Sequence, residues 1–246
     1  MDGLNIINKG GQVTIFIIVA IVIVAAVGLF FVFRGGINLD GSAGEHGNVY
    51  SFVEECIIEG SAEAIYEISL NGGHRILPEL STESGYAYYY INSQVYMPSK
   101  EFVEDQISSY VEGYLADCVH DFRDFSDLSI YKGNINVDTD IRNEEVIFDV
   151  NYPLTIIKAN KTSYLKNWNN IQIDVRLGVI YNSIFEFIDA QTKIENICLT
   201  CLMDVTEPND LYVELQEYYN ATIFSFRDEN SIIQDKFLEF KFANEY

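Results

Sequence analysis

The chain has 246 residues, of which 48% are hydrophobic and 14% aromatic, so it is long and apolar enough to bury a substantial core. It carries 37 acidic and 15 basic residues, a formal net charge of −22. So acidic a composition argues against nucleic acid as a partner, because few cations are present to neutralise phosphates.

The first predicted element is an apolar helix. Residues 12–33, QVTIFIIVAIVIVAAVGLFFVF, contain no charged side chain. At about 1.5 Å per residue this segment spans about 33 Å as a helix, enough to cross a hydrocarbon core of about 30 Å. It is longer than the core of a cleaved secretory signal and has no polar face. We therefore predict a single transmembrane helix over 12–33, with the lipid bilayer as its partner.

The junction before this helix, NKGGQVTIFIIV, resembles the prepilin-type (class III) signal of archaeal pilin-like proteins. In that family a short polar leader ends in a basic residue and a glycine and is cleaved before a glutamine. The resemblance implies cleavage between Gly11 and Gln12, with residues 1–11 as the leader. Two departures are visible: an extra glycine separates Lys9 from Gly11, and Phe16 stands where an acidic residue often supports polymerisation. The alternative is an uncleaved single-pass anchor.

The charges beside the helix do not set its orientation, since Lys9 lies before it and Arg34 after it. The rest of the chain is acidic, so it would gain no electrostatic attraction from the anionic lipids of the cytoplasmic leaflet. We therefore expect a cell-membrane protein with a cytoplasmic N-terminus and an extracytoplasmic C-terminal domain. Residues 34–47 are glycine-rich and are predicted to be a flexible tether to that domain.

The predicted extracytoplasmic domain fills residues 48–246, with a helical part over 48–125 and a strand-rich part over 126–246. Apolar residues at near-helical spacing predict one helix from Asn48 to Leu70 and a second from Ser99 to Phe122. Asn48 is expected to cap the first helix, and the Asn-Gly-Gly sequence after Leu70 is expected to end it.

Period-two alternation and aromatic residues predict a series of extended segments. A third helix interrupts them over 178–195. Runs of helix and runs of strand without regular βαβ alternation indicate the α+β class, with two to three helices and a mainly antiparallel sheet. The predicted strands are 86–97 (a short hairpin), 134–141, 146–157, 163–177, 211–218, 222–227 and 237–242.

All four cysteines lie beyond the predicted membrane span, where an oxidising setting would allow disulfides. Cys56 lies early on the first predicted helix and Cys118 late on the second, each on the apolar stripe. Antiparallel packing of the two helices would bring these ends together, which favours a disulfide between them. The alternative is two buried free thiols.

Cys198-Leu-Thr-Cys201 forms a C-x-x-C sequence. A redox pair needs this motif at a helix N-terminus after a strand, and here the motif follows a predicted helix. Zinc would need two further ligands, and no second C-x-x-C is present. We therefore favour a local disulfide or structural thiols over a redox or zinc site.

The alternating residues Asn136, Asp138 and Asp140 invite comparison with a calcium loop. An EF-hand needs glycine at its sixth position and glutamate at its twelfth, but Ile141 and Ile147 stand there. On a strand the three polar side chains share one face, so a solvated face is favoured over an irregular calcium site. We predict no metal-binding or cofactor-binding residues.

Two N-x-[ST] triplets begin at Asn160 and Asn220, and both fall in predicted turns between strands, where a glycosylation acceptor would be exposed. No G-x-S-x-G, H-E-x-x-H, P-loop or dinucleotide sequence is present. His74, in a loop after two glycines, is the best-placed histidine for catalysis, but a lone loop histidine is more often incidental. We predict no catalytic residues and no enzymatic activity.

These features predict a membrane-anchored surface or envelope protein with a pilin-like, interaction or structural role. Its expected partners are the bilayer and other pilin-like subunits or surface proteins. The alternative is an anchored ligand- or calcium-binding domain that serves as a sensor or accessory part. A hydrolase is a third candidate and would require a cleft that converges on His74.

Overall fold

The computed structural model describes residues 43–194 and 196–246, and residues 48–246 form one compact unit. The predicted transmembrane helix over 12–33 and the predicted processing site at Gly11 and Gln12 lie outside the described residues. Within the described ranges, no helix is both long and apolar enough to cross a membrane.

The described chain contains helices and strands in the mixed order expected for the α+β class. Its α-helices are α1 (Ala43–Leu70), α2 (Lys100–Cys118), α3 (Leu177–Gln191) and α4 (Leu199–Thr206). Short 3₁₀ segments lie at His120–Phe125 and Glu207–Asn209. The strands are β1 (Tyr88–Ile91), β2 (Gln94–Val95), β3 (Ser129–Lys132), β4 (Asn136–Ile141), β5 (Val146–Lys158), β6 (Lys161–Ile173), β7 (Tyr212–Tyr218), β8 (Ala221–Ile233) and β9 (Lys236–Asn244).

The strands form two sheets that are mainly antiparallel, which confirms the predicted class. The first sheet has the order β2-β1-β9-β8-β7, and its β1–β9 pair is parallel. Strand β1 comes from the predicted helical part and β9 from the end of the chain. The two predicted parts of the domain therefore share a sheet.

The second sheet is built around the long strand β5. Strand β6 pairs with one edge of β5, while β3 and β4 follow one another along its other edge. The break between β3 and β4 lies beside Pro153, whose carbonyl accepts a hydrogen bond from Gly133 N at 2.7 Å. The β5–β6 register is also irregular between Asn151 and Leu154. Proline has no N–H to donate, so both ladders are interrupted at the same residue.

Helix α2 lies along the outer edge of β4, where its carboxylate side chains accept hydrogen bonds from backbone N–H groups of the strand. Glu112 Oε1, for example, accepts a hydrogen bond from Val137 N at 3.1 Å. The edge of this sheet is therefore covered by a helix.

Aromatic side chains join the helices to the sheets. Trp168 on β6, the sole tryptophan of the sequence, is fully buried, and its Nε1 donates to Tyr50 O in α1 at 3.1 Å. The two rings stack with centroids 5.1 Å apart. On the first sheet, Phe187 of α3 packs against Phe224 and Phe226 of β8 at 5.2 and 6.4 Å.

The boundaries of the first two helices differ from the predicted ones. Helix α1 begins five residues before Asn48, so that residue lies inside the helix and the cap prediction is wrong. Its end agrees with the prediction: Gly73 N donates to Ile68 O at 2.8 Å with Gly73 at φ 77°. Helix α2 ends at Cys118, not at Phe122, because His120 to Phe122 adopt positive φ values. This turn buries the Phe122 ring beside Tyr152.

The third and fourth helices also depart from the sequence analysis. Helix α3 ends at Gln191, four residues earlier than predicted, and the buried Gln191 amide donates to Ile194 O at 3.1 Å and Asn196 O at 2.9 Å. These bonds hold the chain in a non-helical course after Gln191. Helix α4 was not predicted, because eight residues are too few to show a helical period. It begins directly at the C-x-x-C sequence.

Candidate functional site: a cleft between helix α3 and the β1–β2 hairpin

A cleft of about 550 Å³ opens between the outward face of α3 and the segment that leads from β2 into α2. Such concave, mainly apolar surfaces with a few polar groups are where proteins usually bind ligands. Its apolar lining consists of Val95, Met97, Pro98, Tyr181, Phe185 and Ile188. Its polar lining consists of Ser99, Lys100, Glu101, Asn182, Asp189 and Thr192.

The local sequence explains how this wall of the cleft forms. Pro98 cannot continue a hydrogen-bonded ladder, and Ser99 then begins α2 as its N-cap, accepting a hydrogen bond from Phe102 N at 3.2 Å. The Tyr181 hydroxyl of α3 donates to Pro98 O at 2.9 Å. This bond fixes α3 against the segment that precedes α2.

Tyr181 forms a buried, uncharged part of the lining. Burial, followed by the nearby carboxylates of Glu101 and Glu104, raises the pKa of its phenol to about 12. Tyr181 is therefore a neutral hydrogen-bond donor at physiological pH. Its ring contributes apolar surface to the cleft, and its protonated hydroxyl cannot act as a base.

The rim of the cleft exposes large apolar side chains to water. Phe185 is 58% exposed and Val95 is 48% exposed. Exposed apolar surface beside a cleft is typical of sites that bind another molecule. Near the C-terminal end of α3, Asp189 and Lys193 form a salt bridge of 2.8 Å, so the negative charge of Asp189 is paired with a positive one.

A second cleft of about 390 Å³ adjoins the first, and Thr192 lines both. It lies between the β1–β2 turn, the residues after α3 and the end of the chain, and Tyr90, Lys193 and Tyr246 contribute to it. Burial raises the pKa of Tyr246 to about 12, despite a hydrogen bond from Asn244 that acts in the opposite direction. The two clefts together form one surface beside α3.

The polar side chains of the larger cleft form hydrogen bonds within the protein. The Glu101 carboxylate accepts hydrogen bonds from its own backbone N–H and from the Ser99 side chain, and both lower its pKa. The Ser99 hydroxyl is engaged as a helix cap, and Lys100 Nζ donates to Ile141 O at 2.9 Å. His74 lies outside the two clefts: its ring packs edge-on against Phe102 at 5.2 Å, and burial lowers its pKa. The convergence on His74 that a hydrolase would require is not found in these clefts.

The structure places the cysteines in two disulfides. Cys56 in α1 and Cys118 at the end of α2 are bonded, with Cα atoms 5.9 Å apart. This is the pairing favoured by the helix geometry. Closing a separation of 62 residues contributes about 4 kcal/mol by the loop-entropy estimate. Cys198 and Cys201 form the second, local disulfide.

The three polar residues compared with a calcium loop lie on β4. Asn136 and Asp138 are exposed, and Asp140 is partly covered by its salt bridge with Arg142 at 2.8 Å. The three side chains follow one face of the strand, as the alternation predicts. Across residues 47–194 and 196–246, no group of three or more His, Cys, Asp or Glu side chains is placed to hold a metal ion.

Both predicted glycosylation acceptors occupy turns. Asn160 lies in the exposed β5–β6 turn, and Asn220 in the exposed β7–β8 turn. Each side chain is thus accessible, as an acceptor must be, and its modification stays a prediction.

The cleft itself was missed by the sequence analysis. A single signal could have indicated it: Phe185 lies off the apolar stripe of the third helix, on the face that should be polar. The opposite wall comes from residues about 90 positions earlier, which no local pattern connects to α3. Comparison with family models, curated proteins and solved structures finds no match to this chain.

Proposed function

We propose that this chain is a single-pass, membrane-anchored surface protein whose extracytoplasmic α+β unit binds a partner and catalyses no reaction. The observation that carries the proposal is the disulfide between Cys56 and Cys118, which joins the first two helices after the apolar segment. Disulfides persist mainly outside the cytosol. An uncharged segment over 12–33 then supplies the anchor, and the prepilin-like junction before it supplies a route of maturation.

The cleft beside α3 is the binding surface in this proposal. Its apolar lining, the exposed Phe185 and the neutral Tyr181 favour an apolar or aromatic segment of a partner over a charged metabolite. The engaged Ser99 hydroxyl supports binding over catalysis. The partner is another pilin-like subunit or a surface protein.

The first test is the mature N-terminus and intact mass of the protein from its native membrane, alkylated with and without prior reduction. We expect a chain that begins at Gln12 and accepts four alkyl groups only after reduction, one for each cysteine of the two disulfides. Four alkyl groups without reduction would contradict an extracytoplasmic domain. A chain that retains Met1 would remove the prepilin-like processing and leave an ordinary anchor.

The second test concerns the cleft. A photo-crosslinking residue at Phe185 should give a discrete adduct in the native membrane, because this side chain lies at the rim of the cleft. The matched control is the same residue at Ile76, which is 80% exposed and lines neither cleft. Equal adducts from both positions, or none from either, would argue against the cleft as the binding surface.

A further inference from the structure

The two disulfides of this protein differ in their electrostatic surroundings. Cys118 is the last residue of α2, and Cys56 lies inside α1 and is 2% exposed. Neither cysteine lies at the N-terminus of an α-helix, where backbone N–H groups stabilise negative charge. A thiolate formed by reduction of this bond would therefore receive no electrostatic stabilisation from the helix that carries it.

Cys198 occupies the opposite kind of position. It is the N-cap of α4, and its sulfur accepts a hydrogen bond from Cys201 N at 3.2 Å. The Thr200 hydroxyl lies 3.6 Å from the same sulfur. A helix N-terminus lowers the pKa of a cysteine, and a sulfur of lower pKa leaves faster when a disulfide is attacked. One part of the condition for a redox pair, a C-x-x-C at a helix N-terminus, is met because α4 begins directly after Cys198; the other part is not, because the motif follows helix α3 and not a strand.

Hydrogen bonds hold the scaffold around this pair in addition to the sulfur–sulfur bond. Cys198 N donates to Gln191 Oε1 at 2.9 Å, and the amide nitrogen of the buried Gln191 donates to Asn196 O at 2.9 Å. These bonds hold the connection between α3 and α4 in place. Since the two cysteines are three residues apart, opening their bond separates no elements of the fold. The Cys56–Cys118 bond, in contrast, joins two helices across 62 residues.

The pair is also accessible from one side. Cys198 is 4% exposed, whereas Cys201 is half-buried. Leu199 and Met203 flank Cys201 on α4 and are 56% and 53% exposed. An attacking thiol can therefore approach Cys201 over an apolar surface, and the buried Cys198 is the leaving sulfur.

We infer that Cys198–Cys201 is a reversible redox pair that exchanges with an external dithiol while Cys56–Cys118 remains intact. One thiolate of the dithiol attacks Cys201 Sγ, and the electron pair of the broken bond leaves on Cys198 Sγ. The second thiolate then attacks the dithiol sulfur that is joined to Cys201 and releases Cys201 as a thiolate. The protein disulfide gains two electrons, and the dithiol becomes a disulfide. This inference is independent of the cleft and of the membrane anchor.

The experiment is graded reduction of the full-length protein in detergent micelles with dithiothreitol, followed by alkylation and peptide mass mapping. We expect alkylation of Cys198 and Cys201 at a dithiothreitol concentration at least tenfold lower than that for Cys56 and Cys118. Trp168 fluorescence should stay unchanged through the first step, since its burial against α1 does not involve this pair. Replacing the reductant with oxidised dithiothreitol before alkylation should restore the first disulfide, with the reagent reduced to its dithiol.

Two variants make the assignment independent of the peptide map. Cys198→Ser with Cys201→Ser should abolish the step at low reductant and leave the other step in place. Cys56→Ser with Cys118→Ser should keep the step at low reductant. Simultaneous opening of both disulfides, earlier opening of Cys56–Cys118, or a change in Trp168 fluorescence during the first step would overturn the inference.

Discussion

The backbone N–H of Ile141 donates a hydrogen bond to the Glu104 carboxylate at 2.9 Å, so a helix side chain takes the place of a neighbouring strand. Lys100 completes this contact: its Nζ donates to Ile141 O at 2.9 Å and forms a salt bridge of 3.1 Å with Glu104. Two turns further along α2, Glu112 accepts from Val137 N in the same way. An unpaired strand edge invites association with another chain, and α2 prevents this at β4.

Glu112→Ala should therefore lower the free energy of unfolding by about 1–2 kcal/mol, because the N–H of the buried Val137 loses its partner. The control is Asp105→Ala on the exposed side of the same helix, for which we expect less than about 0.5 kcal/mol. Urea unfolding of the detergent-solubilised chain, followed by Trp168 fluorescence, measures both values. Equal losses for the two variants would contradict the role of α2 as an edge cover.

Asp228→Asn should lower the free energy of unfolding by about 3 kcal/mol, because it leaves the Arg176 guanidinium without its anion. Asp228 is fully buried and receives hydrogen bonds from Arg176 Nη2 at 2.6 Å and Nε at 3.0 Å, and from Ser231. The exposed pair of Glu229 with Arg227 provides the control, Glu229→Gln, with an expected loss below about 1 kcal/mol. Similar losses from both variants would argue against a special role for the buried pair.

The buried Asp228 carboxylate should also make the stability of the protein depend on pH. Burial alone would raise the pKa of Asp228, but the hydrogen bonds from Arg176 and Ser231 outweigh it and place the pKa below its usual value. A lowered native pKa contributes stability above the unfolded-state value of about 3.9, and this contribution is lost as the pH falls through the native pKa. The stability difference between the wild type and Asp228→Asn should be constant near neutral pH and narrow below about pH 4. A difference that stays constant down to pH 3 would contradict this.

Gly178→Ala should destabilise the protein, although alanine is normally favoured over glycine in a helix by about 1 kcal/mol. A Cβ at Gly178 would lie 2.4 Å from the backbone oxygen of Arg142 and 2.7 Å from its carbonyl carbon. Backbone atoms cannot move aside as the end of a side chain can. Gly47→Ala in α1 is the control, because a Cβ there meets nothing within 4 Å, and it should be neutral or stabilising. Thermal unfolding compares the two, and stabilisation by Gly178→Ala would show that this contact is absent.

Removal of the helix-joining disulfide by Cys56→Ser with Cys118→Ser should cost about 4 kcal/mol of stability, since the unfolded chain regains the freedom of a 62-residue loop. Cys198→Ser with Cys201→Ser should cost only about 2 kcal/mol, because its loop is short. Urea unfolding under non-reducing conditions provides the comparison. A larger loss from the second variant would contradict the assignment of Cys56–Cys118 as the main structural bond.

Local patterns in the sequence were enough to predict the α+β class and most of the elements. The apolar stripes of α1 and α2 follow the helical period, and the glycines after Leu70 mark the end of α1. The position of Cys56 and Cys118 on those stripes indicated their pairing, because two packed antiparallel helices leave few other partners. These signals lie within one element or between two adjacent helices.

The tertiary structure alone decided the features that join distant parts of the chain. Strand β1 pairs in parallel with β9, Arg176 meets Asp228, and Phe185 faces a wall formed some 90 residues earlier. Helix α4 could not be predicted, because eight residues are too few to show a helical period. Its N-cap is Cys198, so the first cysteine of the C-x-x-C sequence lies at a helix N-terminus. Hydrophobic periodicity records which face of an element is buried, and it carries no information about which other element covers that face.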